Sequence, residues 1–93
     1  MVKKCFKFGA SWCAPCKILS PVFEKVSKMD DFKNIEFKDF DIEEDDAVEL
    51  VEKFAIRNVP TIVLLDENDE VLKKSIGSVP EDTLIEIIKS EMV

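Results

Sequence analysis

The chain is predicted to fold as an α/β domain: a four-stranded mixed β-sheet with helices on both faces, its elements in the order βαβ–α–ββ–α. Three observations predict it. Apolar side chains at Ile18, Leu19, Val22, Phe23 and Val26 recur at the three-and-four spacing of an amphipathic helix. Thr61 to Leu65 is an unbroken β-branched and leucine run, the pattern of a strand buried on both faces. Helical patterns separate the early strands, whereas only a short turn separates the last two, which mixes parallel and antiparallel pairing in one sheet. The first two strands are expected to be parallel with a right-handed crossover, and the last two to form an antiparallel hairpin.

Each element follows from its residues. Lys3 to Phe8 is aromatic-rich, runs into the small residues Gly9 and Ala10, and reads as the first strand. The first helix runs from Pro15, whose missing N–H costs nothing in an opening turn, to about Met29; Pro21 inside it is expected to bend it. After a turn at Asp30-Asp31 and Lys33-Asn34, Ile35 to Asp41 alternates as the second strand, and Glu36 and Lys38 suit a sheet edge that resists pairing with other chains. The acidic run Asp41 to Asp46 precedes a helix with Ala47, Leu50, Val51 and Phe54 on one face. Acids there complement the positive helix start and read as a solvated cap; a calcium site would need the loop glycine and spaced ligands the run lacks. Asp66 to Asp69 turns the chain into a last strand, Glu70 to Ile76, which Gly77 breaks. Ser78-Val79-Pro80-Glu81 resembles a capping box, with Ser78 as N-cap, ahead of a final helix buried through Leu84, Ile85, Ile87 and Ile88.

Composition narrows the function. Ninety-three residues with 46% apolar content suit one folded domain, residues 1–93. A net charge of −7 disfavours nucleic acid or an anionic membrane as partner, since either needs a basic surface. The chain has no histidine, so catalysis must rest on cysteine, carboxylate or lysine. Its 3 cysteines are an odd number with two of them close together, which is not a disulfide framework. Met1-Val2-Lys3-Lys4 starts like a signal peptide, but Lys7 interrupts the apolar run that follows, so neither a targeting segment nor a membrane span is expected. The expected location is cytoplasmic, a reducing compartment where Cys-x-x-Cys is redox-active or metal-binding.

The chemistry concentrates in Trp12-Cys13-Ala14-Pro15-Cys16, where a strand gives way to a helix. A cysteine just ahead of a helix faces unpaired backbone N–H groups and the positive end of the helix dipole, and both favour thiolate over thiol. The thiolate is the nucleophile, and a second cysteine one turn on can resolve the mixed disulfide that the first one forms. Cys5, in the first strand, reads as a buried and inert thiol. A structural zinc site wants four Cys or His ligands, and Cys5 plus one Cys-x-x-Cys is short by one.

Together with the helix proline Pro21, the segment Phe54-Ala55-Ile56-Arg57-Asn58-Val59-Pro60-Thr61 and Ile76-Gly77 before the last helix, Trp12-Cys13-Ala14-Pro15-Cys16-Lys17 makes the chain resemble a thioredoxin. The likeness covers nearly the whole chain. It is that of a short form, starting without the family's usual N-terminal strand and helix. The resemblance implies Cys13 as attacking thiolate, Cys16 as resolving thiol, and a redox disulfide between them. It implies Trp12 as an apolar surface beside the site, Pro60 in the cis form next to the sulfurs, Val59 offering its backbone to a substrate strand, and Gly77 keeping the last loop clear of side chains. A trans turn proline, a core tryptophan and a strand-ending glycine are the plainer readings of Pro60, Trp12 and Gly77.

One position departs from the family, which typically buries a carboxylate six residues before the first cysteine, where this chain has Lys7. Strand alternation places Cys5, Lys7 and Gly9 on one face and Phe6 and Phe8 on the other. Three arrangements are open for Lys7: a desolvated neutral amine that accepts a proton, an ammonium paired with an acid such as Asp39 on the neighbouring strand, or a buried stem with its head in solvent. A charged Lys7 near the sulfurs is expected to stabilise the reduced form and raise the reduction potential above the roughly −270 mV of thioredoxin.

The implied activity is protein-disulfide reduction by a thiol–disulfide oxidoreductase, without a further cofactor, serving cell redox homeostasis. The implied partners are disulfide-containing proteins and a thioredoxin reductase, with the chain itself a monomer. The alternative is a thioredoxin-fold adaptor whose redox chemistry is secondary. Val-Pro-Thr and the tryptophan before Cys13 point away from glutaredoxin. The lack of histidine between the cysteines points away from a periplasmic oxidase or isomerase.

Overall fold

In the computed structural model, which describes residues 1–92, four strands form one sheet in the order β2-β1-β3-β4. They are β1 (Lys4–Gly9), β2 (Glu36–Asp41), β3 (Thr61–Leu65) and β4 (Val71–Ile76). β1 pairs parallel with β2 and antiparallel with β3, and β3 pairs antiparallel with β4. The mixed sheet, the β2 edge and the terminal hairpin are those the residue pattern predicts. The two central strands are buried almost throughout, and β3 accordingly carries a continuous run of β-branched residues and leucines.

Helices α1 (Ala14–Ser27) and α3 (Glu81–Ser90) cover one face, where Leu19, Phe23, Val26, Leu84 and Ile88 pack on Cys5, Ile62 and Leu64. The short α2 (Val48–Lys53) covers the other, and Phe54 at its end packs on Phe6, Phe8, Val63 and Leu65. Strand alternation thus sends Cys5 and its face toward α1 and α3, and the two phenylalanines toward α2. Phe40 extends this second core at the β2 edge, its ring stacked on Phe8 at 5.3 Å.

Several boundaries differ from expectation. β1 starts and ends one residue later than predicted. α1 begins at Ala14, because Cys13 itself caps it, and ends at Ser27. Ile18 falls outside the buried stripe and is exposed, while Leu19, Phe23 and Val26 carry the contact. The acidic run leads first into a 3₁₀ turn, Asp45–Ala47, and only then into α2. Pro21 lies in α1 at an exposed position, where Lys17's carbonyl is left without its helical donor.

The expected capping box at Ser78 does not form. Pro80 is the N-cap of α3, extended at φ −65 and ψ 162, and no side chain caps the helix. The residue before a proline is driven out of the α region, so Val79 cannot be the first helical residue that a Ser78 cap requires. Glu81 instead reaches across to α1, its Oε1 3.1 Å from Lys25 Nζ.

Candidate active site

At the seam between β1 and α1 the backbone leaves Gly9, turns through Ala10, Ser11 and Trp12, and enters the helix at Ala14. Cys13 occupies the N-cap, extended at φ −92 and ψ 110, and its sulfur accepts a hydrogen bond from the Cys16 backbone N–H at 3.2 Å. A sulfur there meets an otherwise orphan helical donor and the positive end of the α1 dipole, both of which favour the thiolate once the pair is reduced. The local sequence explains the placement: Pro15 cannot donate and is preset for a first turn, so the next donor in line is that of Cys16.

Cys13 and Cys16 are joined as a disulfide, with Cα atoms 5.3 Å apart. Both are buried, in a small cluster with Ala10 that Ile42 and Val59 flank. The Val59–Pro60 peptide bond is cis, and the Val59 carbonyl oxygen lies 3.7 Å from Cys13 Sγ. Pro60 is buried, and its carbonyl accepts from Gly77 N–H at 2.8 Å, which ties this loop to the end of β4. Gly77 has φ +97, a conformation that L side chains rarely adopt, and a Cβ placed there would meet nothing within 4 Å. Its requirement for glycine is therefore set by the backbone, and the space above it is open.

Trp12 is 64% exposed beside the disulfide and is not a core residue. Ile76 is equally exposed, and its place opposite Thr61 in the β3–β4 register puts it next to the Pro60 loop. Sequence reasoning missed Ile76 as a surface residue. The available signal was its position, one residue before a glycine that breaks an edge strand.

Beneath the disulfide, Lys7 is 3% exposed, and its Nζ lies 3.1 Å from Asp39 Oδ1 and 3.4 Å from Oδ2. The two residues are direct partners in the parallel β1–β2 register, so the strands place them together. Of the three arrangements open to Lys7, the ion pair is the one adopted; Asp39, 51% exposed, carries its negative end toward water. Cys5 lies in the core outside the disulfide, and burial pushes its thiol up from 9.0 to about 12. It stays protonated at any ordinary pH.

Comparison with known proteins agrees with this geometry. The thioredoxin family model matches residues 3–90. A thioredoxin of Mycoplasmoides gallisepticum is 38% identical over 82 residues, covering 88% of this chain and 77% of that protein. The thioredoxin of Bacillus subtilis is 31% identical over 85 residues, covering 91% and 78%. Among solved structures, the Malassezia sympodialis thioredoxin Mala s 13 superposes with a TM-score of 0.83 at 28% identity, covering 97% of this chain and 75% of that one. With a helix-capping cysteine disulfide-bonded one turn along and a cis-proline loop against it, the chain belongs to the thioredoxin family of thiol–disulfide oxidoreductases.

Proposed function

We propose that the chain acts as one domain that reduces disulfide bonds of proteins in the cytoplasm, as a monomer, with its own oxidised form returned to the dithiol by a thioredoxin reductase. The observation that carries the reading is the Cys13–Cys16 disulfide at the start of α1 with the Cys16 N–H on Cys13 Sγ. In this reading the Cys13 thiolate attacks a substrate disulfide, and the substrate's leaving sulfur takes a proton. The Cys16 thiolate then attacks Cys13 Sγ in the mixed disulfide, which closes the Cys13–Cys16 bond and releases the second substrate sulfur. Two electrons pass from the dithiol to the substrate, and no other redox group takes part.

Trp12, Val59, Pro60 and Gly77 form the substrate surface. The exposed Trp12 and Ile76 supply apolar contact, the Val59 backbone offers hydrogen bonds to an extended substrate segment, and Gly77 leaves room for it. Lys7 tunes the pair by placing a paired ammonium where the family usually buries a carboxylate. The location is supported by thioredoxin relatives from bacteria. Among the described residues no helix is long and apolar enough to cross a membrane.

The test is reduction of insulin disulfides with dithiothreitol as electron source, comparing the native chain with Cys13→Ser. Turnover that the variant loses supports the oxidoreductase. Equal rates in the two would support the adaptor reading, for which the replacement of the buried carboxylate by Lys7 is the argument.

A further inference from the structure

Gly9 lies against both Cys16 and Lys7. A Cβ placed on it would stand 3.3 Å from Cys16 Sγ and 3.3 Å from Lys7 Nζ. A side chain there would crowd both, so glycine lets the resolving sulfur and the buried ammonium approach the same stretch of backbone. A cleft of about 330 Å³ is bordered by Lys7, Gly9, Cys16, Lys17, Asp39 and Asp41. The cleft is open on one side, so water reaches the groups that border it.

The charges around the sulfur are few. From β1 comes Lys7. From β2 come Asp39, bound to Lys7, and Asp41, whose Oδ1 accepts from Glu43 N–H at 2.9 Å. From α1 comes the exposed Lys17, and β3 brings only Thr61 and Ile62 alongside. The buried charge nearest Gly9 is therefore positive, and its counter-ion Asp39 is half in solvent.

We propose that Lys7 stabilises the Cys16 thiolate as it forms in the resolving step, that Asp39 is the positioning residue holding Lys7 against Gly9, and that the Cys16 proton leaves through the cleft to water. This rests on the oxidoreductase reading and adds to it which sulfur Lys7 serves and by what route the proton departs. The step balances without a protein base. Cys16 Sγ–H gives its proton to water in the cleft, and the thiolate attacks Cys13 Sγ. The bond from Cys13 to the substrate sulfur breaks, and that sulfur leaves with the electron pair and is protonated by solvent. Lys7 stays an ammonium throughout. A buried carboxylate in the same place would have to take the proton itself, because its charge opposes the thiolate. The Lys7–Asp39 pair replaces proton acceptance by charge stabilisation.

Stopped-flow reaction of the reduced protein with 5,5′-dithiobis(2-nitrobenzoate) separates the steps. The first released thiol reports Cys13 attack, and the second reports displacement by Cys16. Wild type is compared across pH with Lys7→Met and with the transposed double variant K7D/D39K, which keeps net charge and ion pair. Lys7→Met is expected to slow the second phase about tenfold or more at neutral pH and to shift its pH dependence upward by one unit or more, with the first phase changed far less. K7D/D39K is expected to give a second phase with a different pH profile, because its carboxylate takes the proton. A second-phase pH profile unaltered from wild type in either variant overturns the proposal. If the first phase instead survives Cys13→Ser unchanged, the oxidoreductase reading itself fails, a result distinct from either.

Discussion

Lys7 and Asp39 face each other as register partners across the parallel β1–β2 pair, Nζ 3.1 Å from Oδ1, with the ammonium 3% exposed and the carboxylate 51% exposed. Their unequal burial sets how each one matters. The lysine is the end that cannot return to water, so its partner is what makes its burial tolerable.

Removing the two residues singly should therefore have unequal effects. Asp39→Ala strands a buried ammonium and is expected to cost about 1–3 kcal/mol, below the range for a fully buried pair because solvent screens the aspartate. Lys7→Met leaves only a half-exposed carboxylate, which water can solvate, and is expected to stay within about 1 kcal/mol of wild type. Urea unfolding of both variants checks the order. A larger loss in Lys7→Met would show that the lysine contributes by packing and not as one half of a pair.

The end of α2 offers a stabilising change. Ala55 N–H donates to Glu52 O and Ile56 N–H to Val51 O, at 3.2 and 2.9 Å, the two bonds of a Schellman cap. Ala55 sits at its left-handed position with φ 52, where a non-glycine residue costs about 1 kcal/mol. Ala55→Gly is expected to raise stability by up to about 0.6 kcal/mol after its larger unfolded-state entropy is counted. Chemical denaturation gives the answer directly, and a lower midpoint for the variant would contradict it.

Cys5 makes a prediction at high pH. Its thiol titrates at about 12 in the fold against 9.0 ordinarily, because burial disfavours the thiolate. Above 9.0 the unfolded chain has lost this proton while the native chain retains it, so stability falls as pH rises toward 12. The slope from this group approaches about 1.4 kcal/mol per pH unit. Cys5→Ala loses some packing at neutral pH but lacks that slope. The stability difference between wild type and variant is therefore expected to shrink as pH climbs from 9 to 11. A difference that stays constant would mean that Cys5 ionises as readily in the fold as in the unfolded chain.

Much of this was legible in the residues, for identifiable reasons. Helical and strand periods differ enough to locate α1, β3 and the terminal hairpin, and alternation put Cys5, Lys7 and Gly9 on one face while sending Phe6 and Phe8 to the opposite core. Local chemistry misled where tertiary geometry decided. Ile18 has the spacing of the buried stripe but lies at its edge, so the stripe proves narrower than hydropathy implies. Ser78 and Glu81 have capping-box spacing, yet Pro80 between them fixes where α3 begins. The pairing of Lys7 with Asp39 depends on the β1–β2 register, which no local pattern states, and the approach of the Cys16 sulfur to Gly9 depends on where α1 lies against β1.

The central claim is a division of labour between two sulfurs, Cys13 attacking and Cys16 resolving. Trapping measures it directly: each single serine variant is incubated with an oxidised protein substrate, and the covalent adduct is located by mass spectrometry of its peptides. Cys16→Ser is predicted to accumulate a stable mixed disulfide through Cys13, because nothing remains to displace the substrate. Cys13→Ser is predicted to accumulate none. An adduct through Cys16, or equal trapping by the two variants, would contradict the assignment.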